Sequence, residues 1–136
     1  MRQRGTPKIK LQTRLWKEKH PYQNWANTTT NSHRADGIEM RITRKELEEL
    51  AQTEAAKHCV YCETPLNWTY GTKGGRLQFN SPTADRFNNE KFLDRDNIRI
   101  VCNRCNRAKG EHTYDEFIEY CKRVALLSEI RKPTSA

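Results

Sequence analysis

The chain has no run of apolar residues long enough to cross a membrane or to act as a signal segment. Hydrophobic residues are also scarce, at 35% of 136 residues, so one domain of this length can bury only a small core. Acidic residues are too few to balance 25 lysines and arginines, and the formal net charge is +8. The charge favours a polyanionic partner, nucleic acid before membrane, and a merely solvated basic surface is an equally compatible alternative.

Cysteine is infrequent as well, but four of the five cysteines form two Cys-x-x-Cys pairs separated by 39 residues. Four thiolates from two tight turns suit a closed tetrahedral Zn²⁺ site, which is structural because no coordination position stays open. A redox role is disfavoured, because redox pairs normally follow a strand of a thioredoxin-like βαβ unit. An odd cysteine count does not fit a complete disulfide framework, so we expect an intracellular protein. The predicted zinc ligands are Cys59, Cys62, Cys102 and Cys105.

Capping signals and hydrophobic periodicity predict several short elements. Thr43-x-x-Glu46 and Thr113-x-x-Glu116 are capping boxes, each followed by apolar residues that recur on one helical face. Cys121 falls on the second apolar face, which predicts a small core residue and not a fifth ligand. The predicted elements are a helix at 44–57, hairpin strands at 81–87 and 97–101, a short helix carrying 106–109, and a helix from 114 to about 130.

The first forty residues differ in composition from the rest. Residues 1–19 carry seven lysines or arginines and one acid, and residues 24–36 are polar without a period. This pattern predicts a basic N-terminal extension at 1–40 that lies along phosphates, or a tail whose tryptophans cover the core. We expect the main domain at 41–130 and a C-terminal tail at 131–136. The glycine-rich stretch at 71–75 predicts a flexible turn, because it lacks the spacing of a phosphate-binding loop.

The residues around the cysteine pairs resemble a known family. Between the pairs stand Ser81-Pro-Thr-Ala-Asp85-Arg86 and Asn97-Ile-Arg-Ile-Val, and the second pair continues as Asn106-Arg-Ala-Lys109-Gly110. In order and spacing this stretch resembles the HNH, or ββα-metal, endonucleases, in the zinc-stapled form typified by phage recombination endonucleases. The resemblance implies an α+β fold with a small zinc-stapled ββα-metal core and flanking helices. It also implies a nucleoid-associated or cytoplasmic setting, including a phage-encoded one.

The resemblance further implies a catalytic site. Asp85 and Asn106 match the family's ligands for a divalent cation, Mg²⁺ or Mn²⁺, and Asn97 matches the asparagine that steadies the adjoining loop. The implied function is metal-dependent hydrolysis of phosphodiester bonds in DNA. The family's general base, usually a histidine, is replaced by Arg86, which cannot accept a proton. The alternative function is therefore a catalytically weak or inactive zinc-containing DNA-binding module, and a protein–protein adaptor is a third.

The sequence leaves two questions open at the site: the role of Arg86 and the identity of the general base. Arg86 is interpreted as a clamp on the scissile phosphate, as a replaced base, or as the partner of an acid such as Glu90. Any general base must come from elsewhere, and His112 is the histidine nearest in sequence to the implied metal ligands. Water activated without a protein base is equally compatible with the sequence. The histidines available are His20, His33, His58 and His112.

A basic window surrounds the second cysteine pair. Eleven residues from 99 to 109 contain four cations and no acid, which predicts a face that contacts the DNA backbone. A solvated surface beside the zinc turn is the other interpretation. We expect DNA and no membrane as partner, and the sequence carries no signal of an oligomeric state. The predicted DNA-contacting residues are Arg99, Arg104, Arg107 and Lys109.

Overall fold

The computed structural model describes residues 7–69 and 76–133, and these form an α+β fold. Two antiparallel strands form a hairpin, and α-helices precede and follow it. No helix in these two ranges is long and apolar enough to span a membrane. The elements are α1 (Pro7–Lys19), α2 (Pro21–Ala35), α3 (Arg44–Ala51), β1 (Pro82–Arg86), β2 (Ile98–Cys102), α4 (Asn103–Lys109) and α5 (Tyr114–Ile130).

Both predicted capping boxes are confirmed. The hydroxyl of Thr43 accepts a hydrogen bond from the backbone N–H of Glu46, and the Glu46 carboxylate accepts one from the backbone N–H of Thr43. The backbone N–H and the hydroxyl of Thr43 both donate to the Glu46 carboxylate, and they hold its pKa below its ordinary value. Thr113 and Glu116 start α5 in the same way. The sequence therefore located the first residues of α3 and α5 correctly.

The predicted end of α3 was wrong. The helix stops at Ala51, and a separate 3-10 turn at Glu54–Lys57 leads to the first cysteine pair. Thr53 separates the two, because its backbone is extended and its hydroxyl donates to the carbonyl of Leu50. A hydroxyl that competes for backbone carbonyls in this way favours the end of a helix.

The hairpin runs directly into α4. Asp85 lies opposite Arg99 and Pro82 opposite Cys102, and each strand lies within one residue of its predicted bounds. Cys102 is both the last residue of β2 and the N-cap of α4, so α4 begins at Asn103, earlier than predicted. Gly110, with a φ of 53°, ends α4. Because α4 follows β2 without a linker, it is held against the hairpin, and the three elements form a strand–strand–helix unit.

Helix α2 forms where the sequence showed no period, in residues 24–36. Trp25 and Ala26 lie in the core with Thr29 and Thr30, and the hydroxyl of Thr30 donates to the carbonyl of Ala26 at 2.8 Å. A threonine whose hydroxyl is bonded inside its own helix can take a core position. The indole of Trp25 donates to the carbonyl of Pro82 at 3.1 Å, which ties α2 to β1. Trp25 thus covers the core, one of the two interpretations of this stretch.

The apolar face of α5 is buried only near its beginning. Phe117 is buried and its ring contacts Tyr61, whereas Val124 and Leu126 are exposed. Cys121 is exposed too, so the prediction of a core cysteine was wrong. The periodicity identified the helix correctly, but no described element reaches its C-terminal half to cover it.

The predicted turn at 71–75, residues 1–6 of the extension and residues 134–136 of the tail lie outside the described residues.

Candidate functional site

Four cysteines meet at the junction of the hairpin, α4 and the turn before them. Their Sγ atoms all lie within 4.8 Å of one another, and those of Cys62 and Cys102 are 3.7 Å apart. A tetrahedral zinc ion with bonds of about 2.3 Å separates its sulfurs by about 3.8 Å. A disulfide needs about 2.05 Å, and all five cysteines are free. The cluster can therefore hold a structural zinc ion, and it brings together the four cysteines of the two Cys-x-x-Cys pairs.

Backbone hydrogen bonds shape both cysteine turns. In the first turn the N–H of Cys59 donates to the carbonyl of Thr64, and Glu63 takes a positive φ of 62°. In the second turn the N–H of Cys105 donates to Sγ of Cys102 at 3.4 Å. The N–H of Val60 donates to the carbonyl of Ile100, so the first turn is attached to β2. These hydrogen bonds place the two cysteine pairs face to face.

The thiols differ in acidity. Burial acts to raise the pKa of Cys62, but hydrogen bonds, chiefly those with Thr64, outweigh it and lower the pKa to about 6. Burial raises the pKa of Cys102 and of Cys105. Cys62 is therefore more readily available as a thiolate than Cys102 and Cys105, which must lose their protons when a metal binds.

Asp85 lies at the centre of a buried polar cluster. Its carboxylate is 4% exposed and accepts a hydrogen bond of 2.6 Å from the Tyr61 hydroxyl. The ammonium of Lys109, which is fully buried, lies 3.3 Å from both carboxylate oxygens and donates to the carbonyl of Arg86. Burial, followed by the hydrogen bond to Asp85 and its negative charge, raises the pKa of Tyr61, so Tyr61 stays a donor.

The burial of Lys109 differs from the sequence prediction of a DNA-contacting surface residue. Its ammonium lies inside the domain and is not available to a DNA backbone. The reason is helical geometry, because Lys109 follows Cys105 by four residues and such residues share a helix face. Cys105 faces the other cysteines, so Lys109 faces the domain interior as well. The four-residue spacing of Cys105 and Lys109 is visible in the sequence and could have predicted that Lys109 is buried. No comparable sequence pattern pointed to the contact of Tyr61 with Asp85.

Asp85 and Asn106 line one open cleft of about 460 Å³. The hairpin and α4 supply one wall, which includes Arg86 and Asn89. The opposite wall comes from the end of α2, which contributes His33 and Asp36. The two residues matched to the family's metal ligands therefore share one solvent-accessible space, and a histidine faces that space from a distant part of the sequence.

Arg86 and Asn97 brace the loop between the two strands. One nitrogen of the Arg86 guanidinium donates to the carbonyls of Asn89 and Lys91, at 2.6 and 3.0 Å. Asn97 is buried, and its amide donates to the carbonyls of Asn88 and Phe92 while its oxygen accepts the N–H of Asn88. Arg86 therefore bonds loop carbonyls, and it forms no ion pair with Glu90 in the described structure.

The remaining predicted residues are not among those that line the cleft. The guanidinium of Arg99 lies 4.7 Å from the ring centre of Phe87 and donates to two backbone carbonyls. Arg104 and Arg107 are exposed on α4. His112 is exposed, pairs with Glu116 at 3.5 Å and lies outside the residues that line the cleft. The DNA-contacting role of these arginines and the base role of His112 stay predictions.

Comparison with known proteins identifies a similar fold. A solved structure of PacI, a rare-cutting HNH restriction endonuclease studied for its perturbation of DNA, superposes with a TM-score of 0.55. The match covers 85% of this chain and 81% of that chain at 18% sequence identity. The chain matches no protein-family model and no curated protein. The likeness shows that the chain has the fold of an HNH endonuclease.

Replacing one zinc ligand should unfold the core. In Cys59→Ser we expect loss of bound zinc and rapid proteolysis, because structural zinc supplies about 10 kcal/mol or more of folding free energy in small domains. Cys121→Ser is the matched control and should keep its zinc, because Cys121 is exposed and outside the cluster. Elemental analysis and limited proteolysis measure both effects. Unchanged zinc content in Cys59→Ser would contradict the assignment.

Breaking the buried ion pair should cost far more than breaking an exposed one. Lys109→Met leaves the Asp85 carboxylate buried without its cation, which typically costs about 3–5 kcal/mol. Lys57→Met, which removes an exposed pair with Glu54, should shift the urea midpoint little. Urea denaturation of the two variants and the wild type makes the comparison. Equal midpoints would show that the Asp85–Lys109 pair is not held as described.

Proposed function

We propose that the protein is a metal-dependent endonuclease that hydrolyses phosphodiester bonds in DNA. The observation that carries the proposal is the shared cleft of Asp85 and Asn106, formed by a strand–strand–helix unit beside a four-cysteine cluster. A fold shared with an HNH restriction endonuclease supports it. The formal charge of +8 and the free cysteines fit a DNA-bound, intracellular protein.

The residues of the cleft fit a hard divalent cation, Mg²⁺ or Mn²⁺. Asp85 and Asn106 offer a carboxylate and an amide oxygen, the donors such ions prefer. Tyr61 and Lys109 already bond the carboxylate, but its two oxygens together offer about four acceptor sites. The Lys109 charge opposes a second cation, so binding should depend on the phosphate of the DNA. When bound, the cation supplies charge neutralisation at the scissile phosphate and at the leaving oxygen.

The chain's own residues position the reacting groups. Tyr61 and Lys109 fix the Asp85 carboxylate, and the brace formed by Asn97 and Arg86 fixes the loop beside it. Only one nitrogen of the Arg86 guanidinium is used by loop carbonyls, which leaves the other N–H donors for a phosphate oxygen. Arg86 is thus a phosphate clamp in this proposal, and it does not take a proton from water.

Contacts to the DNA backbone are assigned to exposed cations of the described helices. Arg104 and Arg107 project from α4, the helix that carries Asn106. Arg99 contributes less, because its guanidinium already donates to the carbonyls of Asp96 and Ile98. Helix α1 adds further exposed lysines and arginines and no described core residue, so it fits the predicted basic arm.

A second candidate function is a DNA-binding module with weak or lost chemistry. The observation that favours it is Arg86 itself, which stands where the resembling family places a base and is engaged with loop carbonyls. Such a module would bind DNA and leave it intact with either cation. Whether the protein cleaves the DNA that it binds distinguishes the two candidate functions.

A plasmid-nicking assay with Mg²⁺ or Mn²⁺ tests the proposed activity. We expect nicking by the wild type and a much weaker effect in Asn106→Ala at fixed cation concentration. Losing a direct ligand should cost at least the roughly 10–100-fold that loss of an outer partner costs in metal affinity. Asn31→Ala is the matched control, since Asn31 is exposed and bonds Arg44 outside the cleft. Nicking that persists unchanged in Asn106→Ala would contradict the metal assignment.

The salt dependence of DNA binding tests the basic surface. Each phosphate neutralised contributes a slope of about −0.9 to a plot of log affinity against log salt. Arg104→Ala and Arg107→Ala together should therefore flatten the slope by about two and weaken binding similarly for all sequences. Fluorescence anisotropy with a labelled duplex measures this. A wild-type affinity independent of salt would argue against backbone contacts.

A further inference from the structure

The cleft contains an imidazole that the strand–strand–helix unit does not supply. His33 belongs to α2, more than fifty residues before Asp85 in the sequence, yet it lines the same space as Asp85, Arg86 and Asn106. Its side chain is half-buried, between the core and solvent. A proton acceptor is the one component that the unit itself lacks, because Arg86 stays protonated.

The hydrogen bonding of His33 orients its ring. Nδ1 lies 2.8 Å from the backbone carbonyl of Thr29, one turn earlier in α2. A carbonyl oxygen only accepts, so Nδ1 carries the hydrogen in this contact. In the neutral ring Nε2 then holds the free lone pair and can accept a proton.

The position of His33 is fixed by the packing of α2. Trp25 bonds the carbonyl of Pro82 in β1, and Ala26 and Thr30 are buried about two turns and one turn before the histidine. The carbonyl of His33 accepts the N–H of Ile38 at 3.0 Å, which holds the end of the helix. The imidazole is therefore held relative to β1, the strand that carries Asp85.

The other three histidines are placed elsewhere. His20 contacts the ring of Trp16, with centroids 5.0 Å apart, at the junction of α1 and α2. His58 is exposed in the bridge to Pro65, and His112 is exposed and paired with Glu116. His33 is thus the histidine among four that lines the cleft.

From these observations we propose that His33 is the general base of the cleft, taking the proton of the attacking water through Nε2. The inference rests on the proposed endonuclease function. As the water oxygen forms its bond to phosphorus, one water proton passes to Nε2. The bond from phosphorus to the 3′ oxygen breaks, and the leaving oxygen takes a proton from solvent. The ring returns its proton to solvent, which completes a hydrolysis without another reactant.

Charged groups surround the imidazole from each element of the cleft. Asp36 follows it on α2, Asp85 and Arg86 stand on β1, and Glu111 follows α4. Lys109 lies behind Asp85. Three acids and two cations therefore lie on the elements that border the cleft. A bound DNA phosphate adds a further negative charge beside the ring.

Single-turnover nicking by His33→Gln tests the assignment. General-base catalysis is worth roughly 10²–10⁴-fold, so the rate should fall by that factor while DNA affinity and zinc content stay at wild-type values. The acidic limb of the wild-type pH–rate profile should disappear. Added imidazole should restore part of the rate in His33→Ala and none in Asn106→Ala.

The outcomes separate this inference from the function it rests on. If the wild type nicks DNA and His33→Gln nicks equally fast, His33 is not the base and the endonuclease function stands. A rate loss in His112→Gln, with His33→Gln unaffected, would move the base to His112. If the wild type does not nick with Mg²⁺ or Mn²⁺, the proposed function and this inference both fail.

A second measurement does not need activity. Ring ¹⁵N NMR of histidine-labelled protein, at a pH where the imidazoles are neutral, should show the Nδ1-protonated tautomer for His33. That result supports Nε2 as the acceptor. The opposite tautomer would overturn the assignment, because Nε2 would then carry the hydrogen.

Discussion

The pairing of Asp85 with Lys109 holds together the parts of this protein that the chain keeps far apart. The carboxylate belongs to β1, its ammonium partner to α4, and the Tyr61 hydroxyl that completes the cluster to the first cysteine turn. Two charges without access to water are stable only when their remaining hydrogen-bonding capacity is met. Here the carbonyl of Arg86 accepts from the ammonium, and no buried side-chain polar atom in the described structure lacks a partner. The geometry of the cleft depends on this cluster.

Because the apolar core is small, polar contacts and the cysteine cluster must stabilise much of the fold. One group of buried residues lies around Trp25, Leu47 and Leu93, and a second consists of Cys59, Val101 and Cys102. The second group is too small to order two turns by burial alone, and four thiolates on one metal ion can provide the missing constraint. The cysteine cluster and the Asp85–Lys109 pair meet on α4, since Cys105 and Lys109 share one face of that helix. The seven-residue helix α4 therefore carries both a cysteine of the cluster and the lysine that pairs with Asp85. A shift of α4 would disturb both contacts.

The arginine at position 86 and the position of α2 beside the cleft are complementary features. An arginine after Asp85 keeps a positive charge where a phosphate is expected, and it braces the loop through two carbonyls. The proton acceptor can then come from another element, provided that element is held rigidly. Helix α2 meets this requirement through Trp25 and its buried threonines. A catalytic group contributed by an N-terminal helix would also make the chemistry depend on the packing of that helix against the hairpin.

The sequence by itself determined the local features of this protein. The two cysteine pairs, both capping boxes, the hairpin and the residues of the strand–strand–helix unit were all predicted, because each depends on side chains within a few residues of one another. Tertiary structure alone decided which surfaces are covered. It buried Lys109, left Cys121 exposed, formed the helix Pro21–Ala35 and brought His33 to the cleft of Asp85. The physical reason is that burial and proximity depend on packing between elements distant in the chain, which periodicity within one element does not record.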